Sequence, residues 1–70
     1  MMPELNLPNS LIVDAEKLLK ELAVASSTYE SEENWAMHDE VMSLFKYVQT
    51  HKNNGKVTVT QMQLIEAGVL

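Results

Sequence analysis

Residues 31–52 constrain the fold more than any other segment, because their apolar residues recur at the period of an α-helix. Spaced at 100° per residue, one set of side chains falls on a single face: Met37, Val41, Leu44, Phe45 and Val48, with Trp35 and Met42 at its border. Acidic residues gather near the start of the segment and lysines near its end, as a helix dipole favours. We therefore predict a helix over 31–52 that packs one face against another element.

Residues 10–26 carry a second helical pattern. Asn9 or Ser10 can cap its first turn, and apolar side chains then cover one side of the helix: Leu11, Ile12, Ala15, Leu18, Leu19, Leu22 and Ala23. The serine-rich stretch 26–33 reads as a turn, with Ser31 preferred as the cap of the next helix. A connection this short predicts that the two helices return antiparallel to each other.

The segment 60–67 predicts a short third helix. Thr58 or Thr60 can cap it, with a glutamine three residues later completing a capping box in either case. Gly68 is suited to end it. The alternation of valine and threonine over 57–60 fits a short strand equally well. Since the sequence offers no obvious second strand, such a strand would need a symmetry mate.

These elements predict an all-α fold in a single domain, residues 1–70. An antiparallel helical hairpin carries a short C-terminal helix, and residues 1–8, which hold both prolines, form an extended arm. A chain of 70 residues buries only about 60 to 65% of its unfolded surface, so its stability is marginal. With no cysteine to form disulfides, oligomerisation is the simplest reinforcement. We expect a homodimer in a four-helix arrangement, or else a compact three-helix monomer.

The charge balance argues against nucleic acid as a partner. The chain has ten acidic residues against five lysines, no arginine, and a formal net charge of -5. Binding to phosphate backbones relies on clustered lysine and arginine, and arginine is the preferred reader of guanine.

No segment has the composition of a secretory signal or of a membrane span. We expect a small acidic cytoplasmic protein with no membrane partner.

Five residues are candidates for contacts with a protein partner. Four of them are acids clustered near the start of the second predicted helix, and the fifth is an aromatic residue outside the main apolar arc: Glu32, Glu33, Asp39, Glu40 and Tyr47. Stabilisation of a helix start accounts for much of the acidic cluster. His38 is interpreted as a packed, hydrogen-bonded histidine at the margin of the core, since it has no second ligand at i+3 or i+4.

The sequence predicts no catalytic, cofactor-binding or metal-binding residues. It contains no nucleophile with an adjacent base, no glycine-rich phosphate loop and no paired-histidine motif. We therefore expect a non-enzyme, an interaction or regulatory accessory module acting through its helix faces. Its partner would be a second copy or another protein with a basic or apolar surface.

Two alternative functions stay open. TQMQLIEAGVL resembles the first helix and turn of a helix-turn-helix, which would imply a transcriptional regulator, and the protein could instead carry a metal or small ligand.

Overall fold

The computed structural model describes residues 10–69, which contain two strands and three helices. In chain order these are β1 (Ser10–Asp14), α1 (Ala15–Ser31), α2 (Trp35–His51), β2 (Lys56–Thr60) and α3 (Gln61–Glu66). The two strands pair antiparallel, with Ser10 opposite Thr60 and Asp14 opposite Lys56. The two long helices form a hairpin packed along each other. The predicted arm over 1–8 lies outside the described residues.

The predicted all-α class is wrong, and the helical bundle and four-helix arrangement that followed from it are wrong as well. Residues 10–14 form a strand instead of the first turn of a helix. Ile12 and Val13 are β-branched and suit a pleated strand. Asp14 then stops the strand and starts the helix, since its side chain accepts the Lys17 N–H at 3.0 Å as an N-cap. The apolar stripe assigned to one helix is therefore divided between a strand and a helix.

The turn between α1 and α2 is tighter and later than the sequence suggests. α1 continues to Ser31, and Asn34, not Ser31, caps α2 by accepting the Met37 N–H. Glu33 adopts a left-handed conformation with φ of 58°. Two hydrogen bonds then close α1 in a Schellman motif, from Glu33 N to Glu30 O and from Asn34 N to Tyr29 O. Glutamate occupies a position where glycine is the usual residue.

Replacing Glu33 with glycine should stabilise the domain by about 0.5 to 1 kcal/mol, because glycine reaches the left-handed region without a Cβ penalty. Glu32 offers a matched control. It is the same residue type one position earlier, but its φ of -85° is helical, so Glu32→Gly should cost stability instead. Thermal unfolding of both variants measures the contrast, and an equal loss in both would contradict the role assigned to the Glu33 conformation.

The hydrophobic core draws on every helix and on β2. Its buried members are Ala15, Leu18, Leu22, Val41, Leu44, Val48, Val57, Val59, Leu64 and Ala67. The inner face predicted for the first helix is partly wrong, since its members Leu11, Ile12 and Ala23 are exposed. The buried members of the two predicted faces are confirmed as core residues: Ala15, Leu18 and Leu22 in the first helix, and Val41, Leu44 and Val48 in the second. They are buried within one chain, against each other and against one face of the sheet.

The segment that allowed two interpretations is a strand followed by a helix. β2 pairs with β1 of the same chain and so needs no symmetry mate. Asn54 and Gly55 turn the chain into β2 with φ values of 56° and 76°, which is the pattern of a type I′ turn. Thr60 ends β2 and caps α3 in a capping box with Gln63, confirming one of the two caps that the sequence offered.

The end of α3 places one apolar residue beside the helix. Gly68 has φ of 75°, and hydrogen bonds from Gly68 N to Ile65 O and from Val69 N to Leu64 O form a second Schellman motif. Such motifs commonly bring the residue after the glycine against the last turn of the helix. Val69 accordingly lies with Leu64 along one groove of the molecule.

Candidate interaction surface

The backbone of β1 faces β2 at alternate residues only. Ala15 N donates to Gly55 O at 2.8 Å, which identifies this pair as a hydrogen-bonded one. Because hydrogen-bonded and non-hydrogen-bonded pairs alternate along an antiparallel ladder, Leu11 and Val13 also direct their amides towards β2. Ser10 and Ile12 direct theirs away from it. Within residues 10–69 the sheet has two strands, so these groups form an open edge.

The opposite edge of the sheet is occupied by the chain itself. Lys56 exchanges two backbone hydrogen bonds with Asn53, of 3.0 and 2.8 Å. Thr58 O accepts the Tyr47 hydroxyl at 3.2 Å, and Thr60 N donates to Gln63 Oε1 at 2.8 Å. Each outward-facing residue of β2 therefore already uses a backbone group within the domain. The two edges of the sheet therefore differ in whether their outward-facing residues already make backbone hydrogen bonds within the domain.

Large apolar side chains accompany the open edge. Ile12 is 74% exposed on the outer face of the sheet, and Leu11 is 41% exposed on the inner face. Soluble proteins usually protect such an edge with lysine, proline, a bulge or a covering element. In residues 10–14 none of these protections is present, since the strand is SLIVD and regular. An exposed apolar edge of this kind is typical of a strand that pairs with another chain.

A groove runs beside the same strand. Val13, Leu18, Leu64 and Val69 supply its apolar wall, with Lys17 and Glu21 also lining it. The groove takes residues from β1, α1 and the C-terminal part of the described chain, and none from β2. It therefore lies on the β1 side of the molecule. We call the open edge, the side chains of Leu11 and Ile12, and this groove the β1 edge surface.

The residues predicted to contact a partner do not meet in one place. Glu32 and Glu33 lie in the turn between α1 and α2, and Asp39 is exposed on α2. Glu40 and Tyr47 are brought together, since both line a second groove between α2 and α3. Tyr47 is half-buried and its hydroxyl is engaged by β2. Their role as partner contacts stays a prediction.

His38 lies at the margin of the core, as its position in the helix pattern suggested. Its ring packs edge-on against Trp35, with the ring centroids 5.5 Å apart. Its Nδ1 is 3.8 Å from an Asp39 carboxylate oxygen and makes no hydrogen bond within the described residues. No group of three or more histidine or carboxylate side chains in residues 10–69 is arranged to hold a metal ion.

Sequence reasoning missed the β1 edge surface because it assigned Leu11 and Ile12 to the buried stripe of a helix. One local signal pointed the other way: two β-branched residues stand directly before an aspartate suited to cap a helix. Even with that signal, which edge of the sheet is open depends on the pairing with β2. That pairing joins segments far apart in the chain.

Comparison with known proteins finds no matching family model, no matching curated protein and no matching solved structure. In the part of the chain that the structure describes, none of the helices is both long enough and apolar enough to cross a membrane.

Proposed function

We propose that this protein is a non-enzymatic, cytoplasmic interaction module that binds a protein partner through the β1 edge surface. One observation carries the proposal. β1 combines open backbone groups at Ser10 and Ile12 with exposed apolar side chains, while each outward-facing residue of β2 already uses at least one backbone group within the domain.

The mode of binding is strand addition. A partner strand would hydrogen-bond to the open backbone of β1, and such main-chain bonds supply affinity. Alternate side chains of the partner would enter the groove beside β1, where the apolar wall selects for them. The helix faces that the sequence suggested as binding surfaces are occupied by the core, so the proposed contact lies on the sheet.

The properties of α3 favour this proposal over DNA recognition. α3 is six residues long, and its exposed side chains include Met62 and Ile65, which are 57% and 49% exposed. A DNA-reading helix would present groups able to contact base edges and phosphates. Apolar side chains on the exposed side of α3 suit a contact with protein better than a contact with DNA.

Photo-crosslinking in the producing cell tests the proposal. A photoreactive phenylalanine analogue in place of Ile12 should form covalent adducts with a protein partner. The control carries the same analogue in place of Val24, a β-branched residue that is 68% exposed on α1. We expect adducts from position 12 and far fewer from position 24, and mass spectrometry identifies the attached chain.

The result would contradict the proposal if position 12 gave no adduct, or if both positions gave the same adducts in equal yield. In the first case nothing occupies the open edge. In the second case the adducts reflect general exposure of apolar surface. Folding of both labelled proteins is checked by circular dichroism, which should match that of the unlabelled chain because both side chains are largely exposed.

A further inference from the structure

We infer that the partner on the β1 edge surface is a second copy of this chain, joined through antiparallel pairing of β1 with β1 about a two-fold axis at Ile12. The product is a continuous four-stranded sheet in the order β2-β1-β1-β2. This inference rests on the proposed function, since it assigns the occupant of the same surface.

The sequence of β1 is complementary to itself in this register. With Ile12 opposite Ile12 of the second copy, Leu11 falls opposite Val13, so apolar side chains meet on the inner face of the sheet. Ser10 falls opposite Asp14 of the second copy, which places a hydroxyl beside a carboxylate instead of two like charges. No cross-strand pair in this register is unfavourable.

The backbone is complementary as well. Ile12 directs its N–H and C=O away from β2, so the two copies of this residue can exchange both groups as a hydrogen-bonded pair. A shift of the register by one residue would place Ile12 opposite a residue that directs its own groups inward. The two-fold arrangement about Ile12 therefore matches donors, acceptors and side-chain faces together.

The pairing also explains why assembly would stop at two copies. A strand-pairing interface propagates into a fibre when the product exposes a new open edge. Here the outer strands of the product are both β2, whose outward-facing residues each have a backbone group engaged by Asn53, Tyr47 or Gln63. An isologous dimer is closed, and it extends the two-stranded sheet to four strands.

Repulsion between two copies comes from the net charge of the whole chain and little from the β1 edge surface itself. Although the whole chain carries a formal net charge of -5, the strand itself has one acid, Asp14, and its carboxylate caps α1. Lys17 and Glu21 at the groove have opposite signs. We therefore expect added salt to strengthen the dimer by screening long-range repulsion, the reverse of the response of a protein bound to nucleic acid.

The test is the mass of the purified full chain in solution, measured by light scattering over a concentration series. We expect twice the chain mass of 7.9 kDa, with dissociation on dilution. Ile12→Lys, which sets two lysines opposite each other at the axis, should raise the dissociation constant by at least about tenfold. Val24→Lys introduces the same charge at a similarly exposed position on α1 and should leave the mass unchanged.

The register is tested by substitutions at Ser10. Ser10→Asp places a carboxylate opposite Asp14 of the second copy and should weaken the dimer, whereas Ser10→Lys places an ammonium there and should strengthen it. Ile12→Cys supplies a further readout that does not depend on the fold tolerating a charge. Since the natural chain has no cysteine, oxidation of this variant should give a covalent dimer much faster than oxidation of Val24→Cys.

A mass of one chain at every concentration would overturn the inference. So would a dimer that persists in Ile12→Lys and shows no preference between the two cysteine variants, because it would use another surface. If a monomeric chain dimerised only after removal of residues 1–9, the edge would be assigned to that segment. A monomer whose residue 12 crosslinks to a different protein in the cell would overturn self-pairing and leave the proposed function standing.

Discussion

Val59→Asp is expected to unfold the domain. Val59 is 1% exposed and faces the core from β2, so the substitution places an unpaired carboxylate among apolar side chains. Burying an unpartnered charged or polar group costs several kcal/mol. A domain of this size has a total stability of roughly 3.5 to 10 kcal/mol. Circular dichroism at 25 °C should show loss of the helical signal.

Thr58→Asp is the matched control, since it introduces the same aspartate one residue earlier. Thr58 is exposed on the opposite face of the sheet, and its loss should cost less than about 1 kcal/mol because only strand propensity changes. The pair separates a strand from the alternative helix start, because only a strand turns successive side chains to opposite faces. Equal destabilisation by both substitutions would show that residues 57–60 do not alternate between core and solvent.

Leu22→Ala is expected to lower the free energy of unfolding by about 2 to 5 kcal/mol. Leu22 is fully buried and is among the largest buried side chains of the described residues. Its truncation removes apolar contacts and leaves a cavity between α1 and the rest of the core. Urea denaturation followed by circular dichroism measures the loss.

Val24→Ala provides the reference for α1. Val24 lies on the same helix but is 68% exposed, and alanine has the higher helix propensity, so this substitution should be neutral or slightly stabilising. A loss at Leu22 no larger than that at Val24 would mean that α1 buries a different face. If the chain dimerises as inferred, both measurements should be made at one fixed protein concentration, since association raises the apparent stability.

Local features of the sequence were sufficient for much of the helical structure. The apolar period within 31–52 marked the buried face of α2, and the threonines with a glutamine three residues later narrowed the cap of the last helix to Thr58 or Thr60. These features depend on residues within one or two helical turns of each other. A given spacing has the same effect on a helix wherever the segment lies in the protein. These features can therefore be recognised without knowledge of the tertiary structure.

The ends of the helices were less predictable. Ser31 and Asn34 are both acceptable caps, and the choice between them follows from where Glu33 turns the chain at the end of α1. Likewise, residues 10–14 contain enough apolar residues to continue a helical stripe. Local preference between the two conformations is small, and packing against other segments decides the outcome.

The chain's helical hairpin and its acidic character follow from the sequence alone, because each depends on neighbouring residues or on composition. The sheet and the β1 edge surface were decided only by the tertiary structure. Residues 10–14 become a strand because they pair with residues 56–60, from which the whole helical hairpin separates them in the sequence. The pairing of β1 with β2 decides which backbone groups of β1 stay unpaired. The β1 edge surface therefore depends on a contact between segments that are distant in the sequence.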